Sequence, residues 1–374
     1  MDFELTDEQR AIRDSTRSLL QSHPGTARVV ADSPAGFDAG LWRQGTELGW
    51  SALAAPEEAG GLGQGVVDLA VVAVEHGRFV TASPFMPTVA VLDALLRSGA
   101  GHHAAQVGAL ISGESSAAWA FTEPHRSPTV DALQTTAVAA DSGYRLTGEK
   151  VTVADASAAD VLLVDAVLDG SPARFLVPRD ASGVKIRRIE SLDITRELDD
   201  ITLDDVHIDQ EAILGSPDTA RAAIERTLRL MTVLACAELV GVGEYLLETS
   251  VEYAKTREQF GVPIGSFQAV KHKCADMRMW VQASRAATLH AAMSLDADEA
   301  GTSPETAKAV SVAKAFVSES ICKTAGEALQ VHGGIGFTWE HDLHLYIRRA
   351  RANAALYGDA DHHHKLLCAL LETR

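Results

Sequence analysis

Apolar periodicity changes twice along this chain, from helical to strand-like near Ala118 and back to helical after Thr219. That order restricts it to an α+β architecture whose strands are grouped in the middle. At the start, Thr6 followed three residues later by Gln9 forms a capping-box pattern, with Asp7 and Glu8 where the helix dipole favours acids. Val66, Leu69, Ala70 and Ala73 follow the turn at Gly60-Gly61-Leu62-Gly63 with helical spacing, and Val89, Leu92 and Leu96 do so before Gly99. Strand-like runs then appear at Ala137-Val138, 144–153, 161–164 and 175–177. Turn signals at Asp141-Ser142-Gly143 and Asp169-Gly170 separate them, which predicts a small antiparallel β-domain. Leu228, Met231, Leu234, Ala235 and Leu239 restore the helical period, followed by a segment over 268–296 and another opened by Ser303-Pro304-Glu305. The expected division is a helical domain over 1–116, a β-domain over 117–217 and a helical bundle over 218–374.

A formal net charge of −18 disfavours general binding to phosphate backbones or anionic membrane surfaces, so neither nucleic acid nor membrane is expected as a partner. The start lacks a basic leader, and no apolar run reaches the roughly 18 residues of a membrane span; the expected compartment is the cytoplasm. Cys236, Cys274, Cys322 and Cys368 lie too far apart for a zinc or disulfide framework and read as buried apolar groups. His362-His363-His364 lacks ligand spacing, because consecutive helical residues point apart; it reads as a solvated face, with no metal expected.

Five strings carry the chemistry. They are Arg257-Glu258-Gln259-Phe260-Gly261-Val262-Pro263-Ile264-Gly265 with Phe267-Gln268; Gln330-Val331-His332-Gly333-Gly334-Ile335-Gly336-Phe337; Phe121-Thr122-Glu123-Pro124; 148–155; and Arg348-Arg349-Ala350-Arg351 leading to Leu356-Tyr357-Gly358-Asp359. With the α–β–α order, they make the chain resemble the acyl-CoA dehydrogenase family over essentially its whole length. The resemblance implies an N-terminal helical domain, a middle β-domain and a C-terminal four-helix bundle, with FAD as cofactor.

The resemblance also assigns roles. Arg257 and Phe260 would reach across a dimer interface to a neighbour's FAD, since a guanidinium offers a planar fork to pyrophosphate oxygens and a ring packs on the cofactor. Gln330, Gly333 and Gly334 would lie beside the adenosine half of that FAD, where glycine permits close backbone approach. Structural readings stand beside these: Arg257 capping helix-end carbonyls, and the double glycine ending a helix.

Other positions depart from the family. After Phe121-Thr122-Glu123-Pro124 the chain reads His125-Arg126-Ser127-Pro128-Thr129 where a Gly-Ser-Asp is expected to meet the pyrophosphate. Thr152 stands where a tryptophan backs the flavin, and Ala154 where a threonine meets its reactive nitrogen. Tyr357 occupies the place of the glutamate base, and Met231 the alternative place on the earlier helix. A phenol with a reference pKa near ~10 is a poor replacement for a carboxylate base at neutral pH.

The losses fall on the chain's own site, while the residues serving a neighbour's cofactor remain. This implies a non-catalytic subunit that completes the FAD site of a homologous catalytic partner in an α2β2 assembly, acting on an acyl-CoA such as a steroid side-chain ester. Electron-transfer flavoprotein or a similar acceptor would take the electrons. Two alternatives stay open: a self-sufficient flavoenzyme with Glu340, His341, Tyr357 or Asp359 as an unusual base, and a non-redox acyl-CoA-binding or lyase derivative.

Overall fold

A computed structural model describes residues 3–25, 28, 36–99, 101–125 and 127–372. Met1, Asp2 and Arg126 of the sequence readings lie outside them. The first helix, α1 (Asp7–Ser22), starts at the expected box: Thr6 Oγ1 accepts from the Gln9 amide at 3.2 Å and the Gln9 side chain accepts from the Thr6 amide at 3.1 Å. There follow α2 (Ala39–Glu47), α3 (Val66–Arg78), α4 (Phe85–Arg97) and α5 (Ala104–Ser112). α3 and α4 are buried along most of their length.

The strands are β1 (Ala117–Ala120), β2 (Thr136–Ala140), β3 (Gly143–Ala154), β4 (Val161–Leu168), β5 (Ser171–Pro178), β6 (Val184–Arg188) and β7 (Leu198–Asp209). The expectation of an antiparallel sheet is corrected here, because β1 and β2 both pair with β4 in parallel while the other pairings are antiparallel. β1 lies against Val161–Val164 and β2 against Val167 and Leu168, end to end along one edge. The long connection between them lets the chain return in the same direction, which no hairpin could do.

Ser216 and Pro217 open α6 (Pro217–Thr256), which is apolar enough to cross a membrane but is buried as the core helix of the fold. Arg257 ends it, and β8 (Glu258–Gln259) pairs with β9 (Val262–Pro263) in a short hairpin. α7 (Gln268–Ala297) and α8 (Pro304–His332) complete three long helices. The fourth side is formed by α9 (Leu343–Ala355) and α10 (Ala360–Glu372), separated by a turn in which Tyr357 and Gly358 have φ of 58° and 96°.

Trp50, Phe85, Trp119, Met231 and Leu343 belong to one core that joins the N-terminal helices, one face of the sheet and the C-terminal helices. Leu146, Phe175, Ile201 and Val206 form a second core within the β-domain. Two side-chain expectations need correction. Among the cysteines only Cys236 is buried, with Cys274 and Cys322 half-buried and Cys368 exposed. His363 is buried and its Nε2 lies 3.1 Å from the Tyr357 carbonyl, because the turn before α10 folds back over it.

Candidate functional site

The four replaced positions, Thr152, Ala154, Met231 and Tyr357, converge in space. Together with Pro87, Trp119, Phe121 and Thr122 they surround a cavity of about 10 Å³, room for about one water. Three rings fill the space. Trp119 stacks on Phe121 with centroids 4.8 Å apart and faces Tyr357 at 6.2 Å. The Trp119 indole is anchored by Nε1 donating to Asp165 Oδ2 at 2.7 Å, so the stack cannot swing aside without breaking a buried bond.

The flavin wall is altered as well. β3 carries an irregularity between Lys150 and Val153, and Thr152 sits in it at φ 54° with its hydroxyl donating to the Val151 carbonyl at 2.7 Å. Glu123 of the loop string is used internally: its carboxylate accepts from the Gln134 and Thr135 amides and from Lys150 Nζ at 2.6 to 2.8 Å. As these side chains stand, the space among them holds about one water and no fused ring.

Of the alternative bases, only Tyr357 lines the cavity. Burial pushes its phenol well above the ordinary value, the positive charge of Arg196 opposing, which keeps it protonated at neutral pH and leaves no phenolate to act as base. Glu340 is exposed, His341 lies edge-on to His332, and Asp359 accepts from the His362 amide at 2.9 Å at the start of α10.

Sequence reasoning missed the polar cluster behind this cavity. Glu238 on α6 accepts from Arg196 through both oxygens at 2.7 Å and also from Arg349 and Asn353 of α9. Arg349 further donates to Asp193 and to Thr195 Oγ1. Burial raises the Glu238 carboxyl, but the two guanidinium groups outweigh it and hold the group down at about 2. Next to Ala154, Asp155 is buried and pushed up to about 7, with Arg196 opposing; it does not line the cavity. The only signal in the sequence is the acidic residue inside the apolar run of α6.

The residues expected to serve a neighbour's cofactor sit elsewhere. Tyr253 near the end of α6 stacks on His332 at the end of α8 at 4.7 Å, so Arg257 and Gly333, which terminate those helices, lie at the same end of the bundle. Arg257 caps α6 through its backbone, its amide donating to the Tyr253 carbonyl at 2.8 Å. Its exposed side chain makes no hydrogen bond or ion pair with the described residues, so the capping role does not use the guanidinium. Phe260 is 92% exposed at φ 54°, touching only the edge of Phe267 at 6.1 Å among described rings. Gln330, Gly333 and Gly334 are exposed on the terminal turn of α8 and beyond it.

Gly333 has φ 61°, a turn that requires glycine. Gly334 does not, and a Cβ there would meet nothing within 4 Å. Phe337 and Trp339 follow, 75% and 60% exposed. This surface is open, whereas the space beside Tyr357 is filled.

The acyl-CoA dehydrogenase N-terminal, middle and C-terminal domain families match residues 6–107, 118–206 and 221–369. The acyl-CoA dehydrogenase IpdE2 of Mycobacterium tuberculosis is 32% identical, covering 94% of this chain and 93% of the relative. The chain belongs to the acyl-CoA dehydrogenase family. Members of this family are FAD-dependent oxidoreductases. Two solved structures share the architecture of this acyl-CoA dehydrogenase chain. One is a variant of the steroid acyl-CoA dehydrogenase Tcur3481-Tcur3483, with a TM-score of 0.88, 29% identity and coverage of 98% of both chains. The other is the ChsE4-ChsE5 complex from Mycobacterium tuberculosis, with a TM-score of 0.91, 27% identity and full coverage of both chains.

Proposed function

We propose that this chain is the non-catalytic subunit of a heteromeric, FAD-dependent acyl-CoA dehydrogenase, completing the cofactor site of a homologous catalytic partner in an α2β2 assembly. The observation that carries the reading is the contrast between two regions. Tyr357, Met231, Thr152 and Ala154 close one site to about 10 Å³, while Arg257, Phe260 and Gly334 are exposed, and among the described residues only the edge of Phe267 meets the ring and none engages the guanidinium or would meet a Cβ at Gly334. An exposed phenylalanine held in left-handed backbone costs stability in the lone chain. A second protein surface that buries it would offset that cost.

In the assembly Arg257 would donate to pyrophosphate oxygens, the Phe260 ring would pack on the cofactor, and the bare backbone at Gly333 and Gly334 would admit the adenosine edge, with Gln330 beside it. FAD would supply the hydride acceptor for an acyl-CoA whose α-proton goes to the partner's base, and electron-transfer flavoprotein or a similar acceptor would reoxidise it. The relatives named for steroid and heteromeric enzymes make a steroid side-chain CoA ester the first substrate to test.

The test is to co-express the chain with the product of a neighbouring acyl-CoA dehydrogenase gene and count FAD by absorbance. About one FAD per two chains in the complex and none on the lone chain is expected. One FAD per chain in the lone protein overturns the reading.

A further inference from the structure

A cavity of about 280 Å³ lies among α1, α3, α6 and α7. It shares no lining residue with the space beside Tyr357 and includes none of Arg257, Phe260, Gln330, Gly333 and Gly334, so nothing assigned above accounts for it. Ala70, Val240, Leu247, Val281 and Leu289 give it an apolar wall, and all five belong to the buried core. Small-molecule sites combine such walls with a few placed polar groups, and they begin at about 300 Å³.

The polar part of the lining is charged, and its charges do not cancel. Five arginines face three glutamates. Arg17 donates through Nε and Nη2 to the two oxygens of Glu75 at 2.8 and 2.7 Å. Arg285 Nη1 donates to Glu244 Oε1 at 3.0 Å, and Arg78 lies 3.5 Å from Glu244 Oε2 and pairs with Glu248. Arg17, Arg78 and Arg285 thus use all three carboxylates.

Arg13 and Arg278 are left over. Arg13 Nε donates at 2.8 Å to its chain neighbour Asp14, whose side chain is 62% exposed and does not line the cavity. An exposed pair of this kind is worth little. Arg278 on α7 is exposed and makes no hydrogen bond or ion pair with the described residues. An adjoining recess of about 370 Å³ shares Arg13 and Gln282 and adds Arg10 and Glu4, which leaves the surplus at two positive charges. The chain as a whole carries a formal charge of −18, so this surplus runs against the rest of the molecule. A cleft lined by one sign of charge, with low-dielectric walls, concentrates ions of the other sign.

We propose that this cavity binds a small amphipathic anion, its head drawn to the two uncompensated guanidinium groups and its apolar chain laid against the wall of α3, α6 and α7. A carboxylate suits such a head, because its two oxygens match the donor fork of a guanidinium. Both halves of the ligand are needed: the wall gives a bare anion nothing to bury, and the arginines give an uncharged chain no charge to meet.

The test titrates decanoate into the full-length chain by calorimetry at neutral pH, where its carboxyl is ionised. Saturable binding at one site per chain is expected, with 1-decanol and acetate each at least 10-fold weaker. Arg13→Gln combined with Arg278→Gln should weaken decanoate at least 10-fold. Gln282→Trp, at an exposed position on α7 that lines the cavity, should fill it and abolish binding without lowering Tm. Absence of saturable binding below the onset of micelles, equal affinity for 1-decanol, or unchanged binding to Gln282→Trp overturns the proposal. If the double arginine variant does not fold, the Gln282→Trp and 1-decanol comparisons decide.

Discussion

Replacing Phe260 with glycine separates what the residue does for the lone chain from what it does in an assembly. The ring is 92% exposed and its backbone sits at φ 54°. In the isolated subunit, glycine relieves left-handed strain of roughly 1–2 kcal/mol and adds chain entropy of roughly 0.5–1 kcal/mol to the unfolded state. Loss of the edge contact with Phe267 costs about another 0.5 kcal/mol. These nearly cancel, so the lone chain should melt within a few degrees of the parent. In the complex, a fully buried phenylalanine contributes about 1.5–3 kcal/mol, so its loss should weaken assembly by about 10- to 100-fold. Subunit association measured by analytical ultracentrifugation, with FAD retained after gel filtration, gives the readout. Unchanged association and unchanged FAD retention would place Phe260 outside the interface and remove the strongest single support for the half-site.

Tyr357→Glu should give no dye-reducing acyl-CoA dehydrogenase activity in the lone chain, because the cavity of about 10 Å³ and the changes at Thr152 and Ala154 remain; turnover above background would show that the base was the sole loss. His76→Phe should flatten the acid limb of stability. Burial lowers His76 from the usual 6.5 to about 4, so the unfolded state binds the extra proton between those values and stability falls as pH drops from 6.5 to about 4. The wild type should lose roughly 3 kcal/mol more than the variant across that window in urea titrations; parallel pH profiles would refute the assignment. Lys314→Met should cost about 1–3 kcal/mol, since the buried ammonium donates to the Asn353 and Ala354 carbonyls at the end of α9. Burial lowers Lys314 to about 8, so stability from this group rises as pH climbs from about 8 to 10.5, a gain the variant should lack in chemical-denaturation curves.

The order of helices, strands and helices was legible because local signals wrote it: the Thr6 box, the Ser303-Pro304 start of α8 and the turn at Asp169-Gly170 all mark real ends. Register counting from Gly336 and Arg257 pointed to Tyr357 and Met231, and the two line the same small cavity. Parallel pairing of β1 and β2 with β4 was not legible, because partners on the same edge are chosen by a long loop rather than by a turn. Nor was the closing stack, which needs Trp119, Phe121 and Tyr357 brought together from opposite ends of the chain. Arg349 read as one member of a basic segment; its burial depends on Asp193 and Glu238, more than a hundred residues away.

That burial gives the segment before Tyr357 a structural role separate from catalysis. Arg349 contacts the Thr81 carbonyl beyond α3, Asp193 and Thr195 between β6 and β7, and Glu238 on α6, so one guanidinium ties together all three parts of the fold. Removing one partner of such a buried set leaves an uncompensated charge, at a cost of about 3–5 kcal/mol. Arg349, Glu238 and Arg196 therefore serve folding whether or not the chain carries a base. Their presence carries no information about turnover. Arg257, Phe260 and Gly334 differ, because among the described residues Phe260 makes only its edge contact with Phe267, the Arg257 guanidinium has no partner and the Cβ position at Gly334 is unfilled. The proposed partner would give those positions a use, and the experiments on Phe260 and on FAD content test it directly.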